Sequence, residues 1–120
     1  MNGEAQSAEG FTVGRTLLAG TTVLSPSSSL TFEHCAEMRS ALEEACRSRH
    51  PRVVIDCRAV KLMDSEALVL LVESHEKLRA NRAELRLAHL NDVCSDILTV
   101  CRLIHVFVVC DDIHQAIKDG

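Results

Sequence analysis

The run Val53-Val54-Ile55-Asp56-Cys57, with Lys61-Leu62-Met63-Asp64-Ser65-Glu66-Ala67-Leu68-Val69-Leu70-Leu71 close behind it, constrains this chain more than any other feature. Three uninterrupted β-branched residues describe a strand covered on both faces, as in a parallel sheet. The stretch beyond has helical spacing. Leu68, Leu71, Val72, His75 and Leu78 share one side, while Glu73, Glu76 and Lys77 lie on the other, and the pattern ends near Asn81. A covered strand leading into an amphipathic helix calls for a parallel strand beyond it, and Leu85 and Leu87, alternating with Glu84 and Arg86, supply one.

The rest of the chain extends this scheme. Residues 11–18 and 21–24 read as two strands joined by a tight turn at Ala19-Gly20, after which Pro26-Ser27-Ser28-Ser29 breaks the pattern. Over residues 32–49, Cys35, Met38, Leu42, Ala45 and Cys46 recur at three- and four-residue steps, and Pro51 ends that helix. A third helix opens at Asn91 or Asp92 and is expected to bury Val93, Ile97, Val100, Cys101 and Ile104. Residues 106–109 form a last strand. Asp111 or Asp112 caps a final short helix with Ile113, Ala116 and Ile117 inside. The predicted fold class is therefore α/β, with a mixed four- to five-stranded sheet, about four helices and right-handed crossovers between the later strands.

At 120 residues and 47% apolar content the chain suffices for one core, with residues 1–10 as a flexible, polar, acidic tail and 11–120 as the domain. The acidic balance, 17 Asp and Glu against 13 Lys and Arg, and the absence of Trp and Tyr exclude the electrostatic and stacking surfaces that nucleic acids need. No apolar run, residues 106–110 included, comes near the roughly 20 residues of a membrane span. Residues 1–10 lack the charged and apolar regions of a secretion signal. The six cysteines sit in apolar periodic segments, as reduced thiols do, which points to the cytoplasm.

Asp64, Ser65 and Glu66 open the second helix, where unpaired backbone N–H groups and the positive end of the helix dipole favour anions. In the plain structural reading Asp64 and Ser65 cap the helix, Glu66 is a favourable first-turn acid, and Asp56 hydrogen-bonds the loop ahead of the helix. In the functional reading Ser65 is a phosphoacceptor. The histidines His34, His50, His75, His89, His105 and His114 suggest a metal, but the sequence has no Cys-x-x-Cys or His-x-x-x-His, so no metal site is expected. No Gly-x-Ser-x-Gly elbow activates Ser65, and no closely spaced glycines succeed a strand to cradle a nucleotide. An enzyme is not expected, nor is a cofactor.

Residues 53–68, with Asp56 on the strand, Asp64 eight residues later and the helix start directly after, resemble the signature of STAS domains, specifically of bacterial anti-sigma factor antagonists. The resemblance extends from about residue 11 to the C-terminus and implies a small cytoplasmic switch. The unmodified protein binds an anti-sigma factor, often itself a serine kinase, and frees a sigma factor for transcription; phosphorylation reverses this. Carried over, Asp56 matches the strand acid, Asp64 the acid before the phosphorylated segment, and Ser65 the first hydroxyl position. Asp64, Ser65, Glu66 and Ala67 then form the partner-binding segment. Three departures stand out. Glu66 replaces the second hydroxyl, the usual acceptor, Ala67 replaces a glycine, and Ser27-Ser28-Ser29-Leu30 stands where the family has Gly-x-Leu-Asp. The alternative reading is a non-phosphorylatable STAS scaffold subunit of a signalling or lipid-transport assembly, in which a homo-oligomer or larger complex is expected.

Overall fold

The computed structural model describes residues 10–49 and 51–118, so most of the expected tail, and His50, lie outside the described residues. Among the described residues five strands form one sheet: β1 (Val13–Leu18), β2 (Thr21–Pro26), β3 (Val53–Asp56), β4 (Leu85–Ala88) and β5 (Val108–Cys110). Their order in the sheet is their order in the chain. β1 and β2 are antiparallel, and every later pair is parallel. The first hairpin turns on Ala19 and Gly20, with φ of 50° and 78°, the double left-handed conformation of a two-residue turn that matches the twist of its strands.

Each parallel step is spanned by one helix: α1 (Cys35–Ala45), α2 (Ser65–Ala80) and α3 (Asp92–Val100); α4 (Ile113–Lys118) comes after β5. When sheet order equals chain order, right-handed crossovers put all three spanning helices on one face. The core divides accordingly. Leu24, Val53, Ile55, Leu85 and Leu87 pack with Met38 and Leu42 of α1, Leu71 and Leu78 of α2, and Cys94 and Leu98 of α3. On the other face Val23, Val54, Ala88 and Cys110 cluster with Ala116 of α4, with Val108 and Ile113 at the margin. Val53-Val54-Ile55 is thus covered on both sides, as its continuous apolar run requires.

α1 is shorter than its periodicity suggests. A 3-10 turn, Phe32–His34, precedes it, and Cys46 is its C-cap, so Phe32 stands outside the helix. The largest correction concerns α3. Its buried residues are Cys94 and Leu98, whereas Val93 and Val100 are 53% and 81% exposed and Cys101 is exposed. The phase of α3 is set at its start: Asn91 Oδ1 accepts the Cys94 N–H at 2.7 Å, while Asn91 Nδ2 donates to the Val60 and Lys61 carbonyls at 3.4 and 3.2 Å. The Cys94 thiol donates to the Val60 carbonyl at 3.5 Å. These polar ties turn the helix about one residue away from the phase that apolar spacing alone favours. β5 is also displaced, to Val108–Cys110, with Phe107 buried before it and T-shaped to the His75 ring at a centroid distance of 5.5 Å.

α2 and α3 end alike. After each C-cap comes an arginine with positive φ, Arg82 at 60° and Arg102 at 62°. The Ala83 N–H reaches the Leu78 carbonyl and the Leu103 N–H the Leu98 carbonyl, at 2.9 and 2.7 Å. This is the closing geometry in which glycine normally takes the left-handed position. α4 opens with a reciprocal cap: Asp112 Oδ1 accepts the Gln115 N–H at 2.8 Å, and Gln115 Oε1 accepts the Asp111 N–H at 2.6 Å.

Candidate functional site

The site forms where β3 ends and α2 begins. Asp56 Oδ1 accepts the Arg58 N–H at 3.1 Å, turning the chain off the strand, and the Cys57 N–H donates to the Ala88 carbonyl at 2.8 Å. Arg58 Nη2 lies 2.8 Å from His89 Nε2, so the loops after β3 and β4 touch. Residues 57–64 then pass beside residues 29–32 and make a parallel bridge at Leu30 and Met63. The Leu30 N–H donates to the Leu62 carbonyl and the Asp64 N–H to the Leu30 carbonyl, each at 3.1 Å; the Leu62 N–H donates to Ser29 Oγ at 3.2 Å. His34 fastens the same loop from behind, its Nδ1 2.8 Å from the Ser29 carbonyl and its ring stacked on Phe11 at 4.0 Å.

Asp64 is the clamp. Oδ1 accepts the Ala67 N–H at 3.0 Å, capping α2, and Oδ2 accepts the Phe32 N–H at 2.7 Å. One carboxylate therefore joins two segments 32 residues apart and satisfies a first-turn amide of the helix. Ser65 and Glu66, the first two helical residues, are exposed, and their own amides have no intrahelical carbonyl to reach. Ala67 points inward and is 2% exposed, so its side chain supports the core and offers no surface to a partner.

Two neighbours complete the surface. Phe32, held by Asp64, is 67% exposed, and Leu62, on the bridging segment, is 45% exposed. The loop after Val60, which carries Leu62, is part of the contact surface expected from the sequence; Phe32 is not. Phe32 fits a helical period that the 3-10 turn interrupts, and it comes to the tip only through its hydrogen bond to Asp64. The tip is thus an acid and hydroxyl at a helix start beside two uncovered apolar side chains. Burial, then the carboxylates of Asp64 and Glu66, raises the pKa of the nearby Cys35 thiol, with Arg39 opposing them. Cys35 is accordingly a protonated neighbour and not a thiolate nucleophile at neutral pH. Among the described residues no group of three or more His, Cys, Asp or Glu side chains could hold a metal ion. No described helix is long and apolar enough to cross a membrane.

This arrangement, a mixed sheet in chain order with three crossover helices on one face and an acid-capped helix after the central strand, defines a small α/β domain. The STAS domain family matches residues 16–116, and the chain belongs to that family. Solved structures agree in fold. An anti-sigma-factor antagonist (STAS) domain protein from Planctomyces limnophilus is 22% identical, with a TM-score of 0.82 over 89% of this chain and 96% of that one. An anti-sigma factor antagonist from Mycobacterium paratuberculosis is 18% identical, with a TM-score of 0.81 over 93% and 95%. The phosphorylated form of the Bacillus cell fate determinant SpoIIAA is 14% identical, with a TM-score of 0.66 over 91% and 97%. No curated protein matches the chain in sequence.

Proposed function

We propose that this chain is an anti-sigma factor antagonist-like regulatory protein of the cytoplasm, which binds an anti-sigma factor that is itself a serine kinase and carries no chemistry of its own. The docking surface is the tip of Ser65 and Glu66 with Phe32 and Leu62 beside them, shaped by Asp64. The observation that carries this reading is the clamp. Both Asp64 oxygens are occupied by backbone N–H groups while the hydroxyl, the Glu66 carboxylate and a large aromatic side chain remain outside. An exposed aromatic on a preorganised edge is a common anchor of protein interfaces.

Ser65 is the candidate phosphoacceptor. A phosphate there adds about 1.5 to 2 negative charges beside Glu66 and an apolar contact surface, which opposes docking through desolvation and like-charge repulsion. The test is to incubate the protein with a serine-kinase anti-sigma factor and ATP, locate the phosphate by mass spectrometry, and measure binding before and after. Phosphate on Ser65 with weakened binding is the expected result; Phe32→Ala should weaken binding by about tenfold or more. Firm binding with no phosphate and no response to Glu66→Ser would instead identify the scaffold reading. That second reading draws its support from Glu66, whose single fixed charge sits in the first turn at the family's second hydroxyl position and only partly imitates a phosphate.

A further inference from the structure

A hollow of about 670 Å³ opens at the end of the sheet opposite Ser65, where the parallel strands begin. Arg49, Arg52, Arg82 and Arg86 line it, with Glu84 as the acid among its lining residues. In a chain with a formal net charge of -4, this is a local surplus of three positive charges. Two of the arginines have structural duties. Arg52 Nη2 donates to the Ile117 carbonyl at 3.2 Å and Arg86 Nη1 to the Ala116 carbonyl at 3.0 Å, tying the last turn of α4 to the sheet. Arg86 Nη2 also lies 3.5 Å from Glu84 Oε1. The guanidinium groups of Arg49 and Arg82 make no hydrogen bond or ion pair among the described residues.

An independent observation comes from the strand side. Thr21, the first residue of β2, lines the same hollow, is 2% exposed, and its Oγ1 has no hydrogen-bond partner among the described residues. A buried hydroxyl without a partner destabilises a fold unless something supplies one. The C-terminal end of α2 also borders the hollow, and its dipole, equivalent to about half a negative charge, opposes an anion. Four guanidinium groups against one carboxylate outweigh it. The lining residues include no aromatic ring, so a nucleobase would find no stacking platform there.

We propose that this hollow binds a small, multiply charged phosphate compound, gripped by the free guanidinium forks of Arg49 and Arg82, with the Thr21 hydroxyl donating to a phosphate oxygen. Planar guanidinium groups match phosphate geometry in pairs of hydrogen bonds, which fits a diphosphate better than a single carboxylate. The proposal is independent of the tip at Ser65.

The probe is pyrophosphate, titrated calorimetrically into the full chain at constant ionic strength, with thermal unfolding monitored by circular dichroism. The expected result is saturable one-site binding with Kd below about 1 mM, tighter than inorganic phosphate, and a matching rise in Tm. Arg49→Gln with Arg82→Asn should weaken binding by about tenfold or more, and Thr21→Val by about threefold. Ser65→Ala should leave it unchanged. If the double variant fails to fold, Arg49→Gln alone carries the test. The proposal is overturned by absence of saturation up to about 10 mM, by an affinity indifferent to these substitutions, or by binding of an acidic peptide in place of pyrophosphate.

Discussion

The two ends of the parallel strands are built on opposite terms. At the carboxyl ends, Asp56, Asp64 and Ser29 each accept a backbone N–H, so the loops are fastened from within and what remains outside is a compact tip. At the amino ends, the arginines of the hollow outnumber the acid beside them, and the Thr21 hydroxyl has no partner among the described residues. The first end is fastened into one shape; the second holds donors in excess. A polar group satisfied internally shapes the molecule, whereas one left unsatisfied marks where something else belongs.

The largest expected effect that separates the two ends is the loss of the clamp. Asp64→Ala removes a helix cap and a charge-assisted hydrogen bond across the loops, and should lower the unfolding free energy by about 2–4 kcal/mol in urea titrations. Ser65→Ala, one residue on, should change it by less than about 0.5 kcal/mol. If the two substitutions prove equal, Asp64 is not what holds the tip.

Next comes alkaline sensitivity near the fastened end. Burial, then the neighbouring Cys94 and Asp56, raises the Cys57 thiol pKa far above its ordinary value of 9.0, and burial raises that of Cys94 too. Thiols that hold their protons more tightly when folded contribute stability in full below the ordinary thiol range and lose it as pH climbs toward the raised values. Stability should therefore decline steadily above about pH 9 in denaturant titrations, and Cys57→Ala should blunt the decline. Thiol-reagent kinetics under native conditions should find Cys101, which is exposed, reacting first, with Cys57 and Cys94 reacting only on unfolding.

A smaller effect comes from the matched left-handed arginines. Arg102→Gly and Arg82→Gly should each raise stability by up to about 1 kcal/mol by relieving the same backbone conformation, but only Arg82→Gly should also weaken pyrophosphate binding. Equal binding by both variants would break the link between Arg82 and the hollow. Smallest of all, Thr21→Val should leave stability unchanged or raise it by up to about 1 kcal/mol, since it replaces an unpartnered hydroxyl with a methyl group of similar shape.

Much of the fold is legible in the sequence because periodicity reports burial directly. The run Val53-Val54-Ile55 requires cover on both faces, and the spacing from Leu68 to Leu78 gives the inner side of α2. The phase of α3 is not legible, because Val93, Ile97 and Val100 make the more apolar stripe. The Asn91 bonds to Val60 and Lys61 turn Cys94 and Leu98 inward instead, and no local pattern encodes a bond across 30 residues. For the same reason Phe32 does not stand out as a site residue: it reaches the tip through a hydrogen bond to Asp64, 32 residues away. The arginine hollow is equally invisible, since Arg49, Arg52, Arg82 and Arg86 read along the chain as ordinary solvated charges.

By itself the sequence determined the alternation of strands and helices, the start of α2 at Ser65 and the two-sided cover of β3, because each depends on residues within a turn or a strand of one another. The tertiary structure alone decided which face of α3 is buried, what Asp64 holds, and which charges gather at the far end of the sheet. Those outcomes depend on hydrogen bonds and packing between segments far apart in the chain, whose geometry exists only once the sheet has assembled.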